Sequence, residues 1–430
     1  MKNFLKKMVS TALVATSMVG IVTGIQTPQA SAQEKVQINY WHVNADTQGG
    51  KTVADLVKKF NESQDEVEVN ATFNPDMYKG LMQNMQAAVA GDNTPDVVQI
   101  GWAFVDYFSE NFEYNEPQAI IDEFDSENKT YLEDNFLPNV TDLAINKDGK
   151  QVGIPYSISN PVLYLNKDLL KEAGLDENGP KTWEELREFA KTIKEKTGKF
   201  GFYLQQPADN WATQALLESN GAKFIEEGQA AFASEEGIEA YKLWADMVNE
   251  DKTAVNLPWD QGMQSFVQGE IGMVFTTIAQ RTNVQTNAKF DVATVQAPSW
   301  GDKDVKVPAG GAMLVMTSKD DAKKEATWKF MKFLYENDNV LEWTKGTGYV
   351  PSTSTVSESD EMKTFLEENP MMQAAMDQMP KVNKWASFPG QSGLEAEQVL
   401  LDMRDAILTG KKTVEEALPE AQEEINALLQ

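Results

Sequence analysis

The sequence predicts an α/β protein with two lobes. The chain has 430 residues, which is more than one compact core usually holds, and its 41% hydrophobic content is enough for real cores. Strand-like and helix-like patterns alternate near the amino terminus, and a second alternating set begins near residue 161. Because no Pro- or Ser-rich linker separates the two sets, we expect interleaved lobes and not two domains in tandem.

The first set consists of three strands and two helices. Apolar and polar residues alternate in the strands, while apolar residues recur at helical spacing in the helices. A β-α-β-α-β order predicts a parallel or mixed sheet covered by helices. The predicted strands are 36–41, 67–73 and 97–100, and the predicted helices are 51–60 and 77–89.

The second set has the same character. Thr182 precedes Trp183 and two glutamates, a pattern typical of a helix amino terminus. Near the carboxyl end the helical pattern is interrupted at Gly410. The predicted strands are 161–165, 200–204 and 272–275, and the predicted helices are 166–173, one from 183, 211–220, 235–249, 261–269, 323–336 and 394–429.

Residues 1–32 have the three-part pattern of a secretory signal peptide. Three lysines precede an uncharged apolar stretch over 8–25, and Ala30-Ser31-Ala32 predicts cleavage before Gln33. A membrane anchor is the alternative, although the stretch is barely long enough to span a bilayer. Ile25 stands where a lipoprotein would have its lipidated cysteine. We therefore expect an exported protein, periplasmic or extracellular, without a lipid anchor.

The composition excludes several function classes. The net charge of −28 disfavours nucleic acid and anionic lipid as partners. The chain has no cysteine and a single histidine, His42, so disulfides, thiolate nucleophiles, zinc–thiolate sites and iron–sulfur clusters are excluded. We expect no cofactor and no metal, which leaves carboxylate chemistry or no chemistry at all.

Nine short motifs, in order along residues 36–430, resemble one protein family. They are Trp41 after the first strand, Thr94-Pro-Asp-Val-Val, Gly153-Ile-Pro-Tyr, Leu163-Tyr-Leu-Asn-Lys-Asp-Leu with Ala173-Gly-Leu-Asp, Pro180-Lys-Thr-Trp-Glu-Glu-Leu, Phe266-x-x-Gly-x-x-Gly-Met, Gly310-Gly-Ala, Thr347-Gly-Tyr-Val-Pro and Gly410-Lys-Lys-Thr-Val-Glu-Glu-Ala-Leu. In this order and spacing the chain is similar to the extracellular solute-binding proteins of family 1, the carbohydrate receptors of bacterial ABC importers.

The resemblance implies a periplasmic-binding-protein-like fold, with two lobes joined by hinge strands and a ligand cleft between them. It places lobe 1 at 33–157 plus 278–313 and lobe 2 at 161–273 plus 318–430, with crossings near 157–161, 274–277 and 313–317. It also implies a monomer without enzymatic activity, which captures a small-molecule carbohydrate and delivers it to the transmembrane subunits of an ABC permease.

Candidate ligand-binding residues follow from sugar chemistry and from the resemblance. A sugar site needs flat aromatic rings for its C–H faces and polar groups for its buried hydroxyls. Tyr78 falls where glycerol-3-phosphate receptors use a tyrosine, and Thr277 matches their hinge serine in residue type. The full set is Trp41, His42, Tyr78, Trp102, Ser157, Ser159, Trp211, Trp259, Thr277, Gly310, Gly311, Tyr349 and Trp385.

The expected ligand is a neutral sugar or oligosaccharide. Glycerol-3-phosphate receptors carry an arginine before the last helices, whereas residues 390–397 of this chain contain no basic residue. Arg281 is the one candidate that could pair with an anionic ligand. Three alternatives stay open: a glycerol-3-phosphate or polyol receptor of the same fold, a secreted glycoside hydrolase with two carboxylates, and a chemosensory or adhesion receptor.

Overall fold

Two β-sheets organise the chain. The computed structural model describes residues 34–206 and 209–430, so the predicted signal peptide lies outside the described residues. From Lys35 onward the chain forms one compact unit. No helix within 34–206 or 209–430 is long and apolar enough to cross a bilayer.

The strands include four two-residue strands that form small separate ladders. They are β1 Val36–His42, β2 Val67–Phe73, β3 Val97–Gly101, β4 Ile154–Ser159, β5 Pro161–Asn166, β6 Phe200–Leu204, β7 Ile225–Glu226, β8 Gln229–Ala230, β9 Ile271–Thr277, β10 Val292–Val295, β11 Val307–Pro308, β12 Gly310–Met316 and β13 Val382–Asn383.

The α-helices range from one turn to four turns. They are α1 Gly50–Ser63, α2 Met77–Ala90, α3 Val105–Asn111, α4 Pro117–Phe124, α5 Tyr131–Asn135, α6 Pro138–Thr141, α7 Lys167–Ala173, α8 Trp183–Thr197, α9 Trp211–Ser219, α10 Glu235–Asn249, α11 Trp259–Val267, α12 Arg281–Asn287, α13 Asp321–Leu334, α14 Asn337–Thr347, α15 Ser354–Ser357, α16 Asp360–Glu368, α17 Gln373–Gln378, α18 Gly393–Leu408 and α19 Val414–Leu428.

The first sheet has five strands in the order β2-β1-β3-β12-β4. β1 pairs in parallel with β2 and β3, whereas β12 runs antiparallel to β3 and β4. The mixed sheet predicted from the β-α-β-α-β order is therefore confirmed. Its central strands are fully buried, which explains why β3 and β12 are nearly continuous apolar runs.

The second sheet has four strands in the order β10-β5-β9-β6. β6 pairs in parallel with β9, and β5 is antiparallel to both β9 and β10. Helix α8 packs on β6 and β9. The Thr182 side chain accepts a hydrogen bond from the Glu185 backbone, so the predicted cap of this helix is confirmed.

The chain passes directly from one sheet to the other at Asn160. This fully buried residue separates β4 of the first sheet from β5 of the second. Its carbonyl accepts a hydrogen bond from the Ile278 backbone, just beyond β9, and its side chain bonds to Gln378. The two segments predicted to connect the lobes near 157–161 and 274–277 therefore lie against each other.

Some segments lie with a different sheet from the one predicted. Residues 318–430 were expected to belong with the second sheet, but α13 packs on β1 and α14 packs on α1. The cause is the apolar face of α13, where the ring of Phe330 lies 5.6 Å from that of Tyr40. Strand β10, expected with the first lobe, instead pairs with β5. The third crossing between the two sheets lies at Ala309, earlier in the chain than the predicted crossing at 313–317. The reason is that β12 already pairs with β4 from Gly310 onward.

Candidate ligand-binding site

A small cavity lies where strands of the two sheets end. Ser159 ends β4, Thr277 ends β9, and Gly310 begins β12. The cavity volume is about 30 Å³, and nine of the thirteen predicted site residues line it. The lining residues are Gln48, Met77, Tyr78, Ser159, Gln205, Asp209, Trp211, Trp259, Thr277, Gly310, Gly311, Tyr349 and Trp385.

The cavity is smaller than a sugar. A volume of this size has room for about one or two water molecules, whereas small-molecule pockets usually measure about 300–1,000 Å³. The structure therefore shows a contracted cleft, and a sugar enters only if the elements on its two sides move apart.

Gly310 and Gly311 allow close packing at the cavity wall. A Cβ on Gly310 would lie 2.5 Å from Ser159 Oγ and 2.6 Å from the Trp211 ring. Gly311 has φ +103°, and its Cβ would lie 2.0 Å from the Ser157 carbonyl oxygen. Glycine is therefore required at both positions.

Three aromatic rings form one wall of the cavity. The Trp385 ring lies 6.1 Å from that of Trp211 and 6.4 Å from that of Tyr78, with the latter pair edge to face. Trp211 is held in place because its Nε1 donates to the Pro308 carbonyl at 3.0 Å. Such a wall offers flat apolar surface with fixed orientation, which suits the C–H face of a sugar.

Tyr349 lies on the turn that follows α14. Its ring stacks on Trp343 at 5.7 Å, and that tryptophan stacks in turn on Tyr156. Burial raises the pKa of Tyr349 to about 12 and that of Tyr78 well above its ordinary value. Both hydroxyls therefore remain protonated at neutral pH.

Among the residues that the structure describes, several buried nitrogen atoms have no hydrogen-bond partner, and two of them belong to or adjoin cavity-lining residues. One is Nε1 of the lining residue Trp259, and the other is Nε2 of Gln206, which directly follows the lining residue Gln205. A buried donor without an acceptor costs free energy. A ligand rich in hydroxyl oxygens would supply acceptors for such donors.

Two of the predicted site residues, Trp102 and Ser157, do not line this cavity. Trp102 is 2% exposed, and its Nε1 donates to the Gly310 carbonyl at 3.2 Å, so it supports the cavity wall from behind. Ser157 Oγ accepts a hydrogen bond from Gln99 in the core of the first sheet. Trp102 directly follows the buried central strand β3, and Ser157 lies on the edge strand β4, all of whose residues are buried.

Trp41 and His42 also lie away from the cavity. Trp41 is half-buried on β1, and side chains alternate between the faces of a strand, so its neighbour His42 points to the opposite face. The His42 ring packs between Tyr40 and Phe73, and its Nδ1 accepts from the Asn44 backbone. Burial lowers the pKa of His42 to about 4, so this side chain is neutral at pH 7.

Four lining residues were not predicted from the sequence: Gln48, Met77, Gln205 and Asp209. Gln205 follows β6, and its side-chain oxygen accepts hydrogen bonds from the Thr276 hydroxyl and the Thr277 backbone. Its position beyond the carboxyl end of a strand was a usable signal, because ligands of α/β proteins bind at such ends. Asp209 has no comparable signal, since it lies in an irregular segment before α9.

Asp209 and Glu397 are two carboxyl groups with raised pKa values. Burial raises the pKa of Asp209 to about 6 and that of Glu397 to about 8. The charge on Asp209 raises the pKa of Glu397 further, while Asn210 and Lys79 oppose the shift. Glu397 is 5% exposed, so it has little access to solvent that would stabilise its charge.

This shift makes stability pH-dependent. Since the pKa of Glu397 in the folded state is about 8, against an ordinary value of 4.5, the folded state retains a proton that the unfolded state loses between these values. Stability therefore falls as pH rises through that window, by about 1.4 kcal/mol per unit of pKa shift. We expect the Tm of Glu397→Gln to fall less between pH 5 and pH 8.5 than that of the wild type.

The exposed Glu395 of the same helix provides the control for this prediction. Glu395→Gln should keep the pH dependence of the wild type. Thermal unfolding curves at several pH values test this, and equal pH dependence in Glu397→Gln and the wild type would contradict the assignment.

Arg281 is not available to a ligand. From the sequence, Arg281 was a candidate to pair with an anionic ligand, but its guanidinium donates to the Lys345 carbonyl at 2.9 Å and to Gln285 at 2.6 Å. It is 3% exposed and lies against the carboxyl end of α14, next to the turn that carries Tyr349. Arg281 therefore supports that turn.

Comparison with known proteins identifies the family. The model of the bacterial extracellular solute-binding proteins matches residues 55–374. The chain belongs to this family. The resemblance inferred from the motifs is thereby confirmed, and the family places this solute-binding protein outside the cytoplasm among the receptors of ABC importers.

Relatives of this solute-binding protein differ in the ligands for which they are named. The sn-glycerol-3-phosphate-binding periplasmic protein UgpB of Escherichia coli K12 is 29% identical over 424 residues, which cover 93% of this chain and 94% of UgpB. The cyclic α-maltosyl-1,6-maltose binding protein of Arthrobacter globiformis is 25% identical with a TM-score of 0.73, over 92% of this chain and 99% of that structure.

Maltose-bound MalE3 of T. maritima has a TM-score of 0.80 at 22% identity, over 92% of this chain and 100% of that structure. At this identity the likeness concerns the fold alone. It confirms the two-lobed α/β architecture predicted from the sequence.

Proposed function

We propose that this solute-binding protein captures a neutral sugar or oligosaccharide in the cavity between its two sheets and delivers it to the transmembrane subunits of an ABC importer. The observation that carries the proposal is the wall of Tyr78, Trp211 and Trp385, together with Trp259 and Tyr349 around the same cavity. Aromatic rings bind the C–H faces of sugars, and polar groups at the strand ends bind their hydroxyls.

The lobes in this proposal follow the two sheets. Ser159, Thr277 and Gly310 lie at strand ends where the chain passes between the sheets, so a ligand that contacts them would favour closure. The joined surface of the closed form would then be presented to the permease. We also propose that the protein acts as a monomer, is released by cleavage before Gln33 and performs no catalysis.

A glycerol-3-phosphate or polyol receptor is the second candidate, because the UgpB relatives match the chain over 93% of its length. The geometry favours it less. Among the described lining residues, none is a lysine, an arginine or a histidine, and these are the side chains that pair with phosphate.

A thermal-shift screen tests the proposed function. The purified protein would be heated with mono- and oligosaccharides, polyols and glycerol 3-phosphate. A ligand at about a hundredfold excess over its Kd adds about 2.7 kcal/mol of stability, which raises the Tm by several degrees. We expect a rise with one class of neutral sugars. A rise with glycerol 3-phosphate alone would establish the second candidate, and no rise with any sugar would contradict the proposal.

A further inference from the structure

An acidic residue, Asp209, lies at the cavity wall, and a second, Glu397, lies near it. Acidic groups in these positions would disfavour an anionic ligand. Asp209 lines the cavity directly, and it is the only charged residue among the described residues that do so. Glu397 lies on α18, and it is close enough that the charge of Asp209 acts on it. The charge that a ligand meets at the cavity wall is therefore negative.

The cations nearest to this pair are directed at the protein. Lys79 is 9% exposed and donates to the side chain of Gln398, next to Glu397. Arg404 is 7% exposed, and its Nη1 donates to the Asp209 carbonyl at 3.1 Å. Neither lines the cavity. Their charges act on the two carboxyl groups without forming part of the described cavity lining.

The ionisation of the pair is set by these groups together. Burial raises the pKa of Asp209, whereas the Trp211 backbone N–H, which donates to its carboxylate at 3.1 Å, and the charge of Arg404 lower it. Burial also raises the pKa of Glu397, and Asn210 and Lys79 oppose that rise. At pH 7 the balance leaves Asp209 mainly ionised and Glu397 mainly protonated. An ionised carboxylate accepts hydrogen bonds and donates none, so its ligand partner must be a donor such as a hydroxyl group.

We propose that Asp209 determines the ligand class of this receptor: the site takes a neutral, polyhydroxylated ligand whose hydroxyl groups donate to Asp209, and it rejects phosphate esters. This inference rests on the proposed function. A phosphate monoester carries a charge of about −1.5 to −2 at pH 7 and presents acceptor oxygens. Beside Asp209 it would meet like charge, and no cation of the described lining would compensate.

The first test compares ligands on the wild-type protein and needs no variant. Titration calorimetry would measure the affinity for the sugar that gives the largest thermal shift, for its phosphate ester and for glycerol 3-phosphate. We expect the sugar to bind at least about a hundredfold more tightly than either phosphate, which corresponds to about 2.7 kcal/mol. Equal or tighter binding of a phosphate would overturn the inference.

The second test changes the charge. Asp209→Asn keeps the shape of the side chain but removes its charge, and we expect it to weaken sugar binding at least about tenfold. The double variant Asp209→Asn, Glu397→Gln should lower the preference for the sugar over its phosphate ester. The control is Glu218→Gln on α9, a carboxyl that also has a pKa raised by burial but does not line the cavity. It should bind as the wild type does.

Failure of this inference differs from failure of the proposed function. If the wild type binds sugars and Asp209→Asn binds them equally well, the proposed function stands and the role of Asp209 is wrong. If the wild type binds no sugar, the proposed function itself fails. Thermal unfolding of each variant without ligand shows that it is folded before its affinity is compared.

Discussion

Gly310→Ala should abolish most ligand binding. The new Cβ would lie 2.6 Å from the Trp211 ring and 2.5 Å from Ser159 Oγ, distances at which one of these groups must move. Either movement changes the cavity wall. We expect a loss of affinity of at least about a hundredfold and a loss of stability of about 1–3 kcal/mol from overpacking. Calorimetry with the sugar and thermal unfolding measure the two effects.

Gly91→Ala is the matched control for this substitution. Gly91 ends helix α2 with φ −95°, and its Cβ would meet no atom closer than 3.5 Å. This variant should bind the sugar normally and lose no stability. If Gly310→Ala also bound normally, the packing of Trp211 against β12 would have no part in ligand binding.

Trp211→Phe should combine a stability loss with a specific loss of binding. The substitution removes part of a ring that is 2% exposed, and it leaves the Pro308 carbonyl without its donor. We expect about 1–3 kcal/mol of lost stability. Because the same ring lies beside Trp385 in the cavity wall, we also expect affinity to fall about tenfold to a hundredfold.

Trp300→Phe separates the two effects. Trp300 is 5% exposed, and its Nε1 donates to the Leu216 carbonyl at 3.0 Å, the same distance as in the Trp211 bond. It does not line the cavity. We expect a similar loss of stability with unchanged affinity. Equal affinity losses in both variants would show that global stability, and not the aromatic wall, controls binding.

Local patterns predicted most of the elements that surround the site. β2 and β6 have the predicted bounds, and α10 begins one residue after Ser234, whose side chain caps it. In each case the alternation or the cap lies within the segment itself. Helix α14 was not predicted, because its apolar residues face partners such as α1 that are distant in sequence.

The residues of the candidate site that could be predicted from the sequence are those whose side chains are chemically distinctive for their position. Trp211, Trp385 and Tyr349 stand out as aromatic residues in loops or at element ends, and all three line the cavity. Trp102 has the same local appearance but faces the core. The face on which a side chain lies depends on how the strands pair, which local sequence does not reveal. The acidic character of the site depends on Asp209 and on Glu397 of helix α18, two residues far apart in the sequence, so it does not follow from local sequence either.

A crystal structure with the sugar from the thermal-shift screen would show where the ligand binds. We expect the sugar in the cavity between the two sheets, with a ring against Trp211 and a hydroxyl donating to Asp209. A larger groove of about 660 Å³ lies elsewhere on the protein, lined by residues such as Tyr114, Lys150 and Lys319. A sugar bound in that groove, with the cavity at Trp211 unoccupied, would show that the proposed site is wrong.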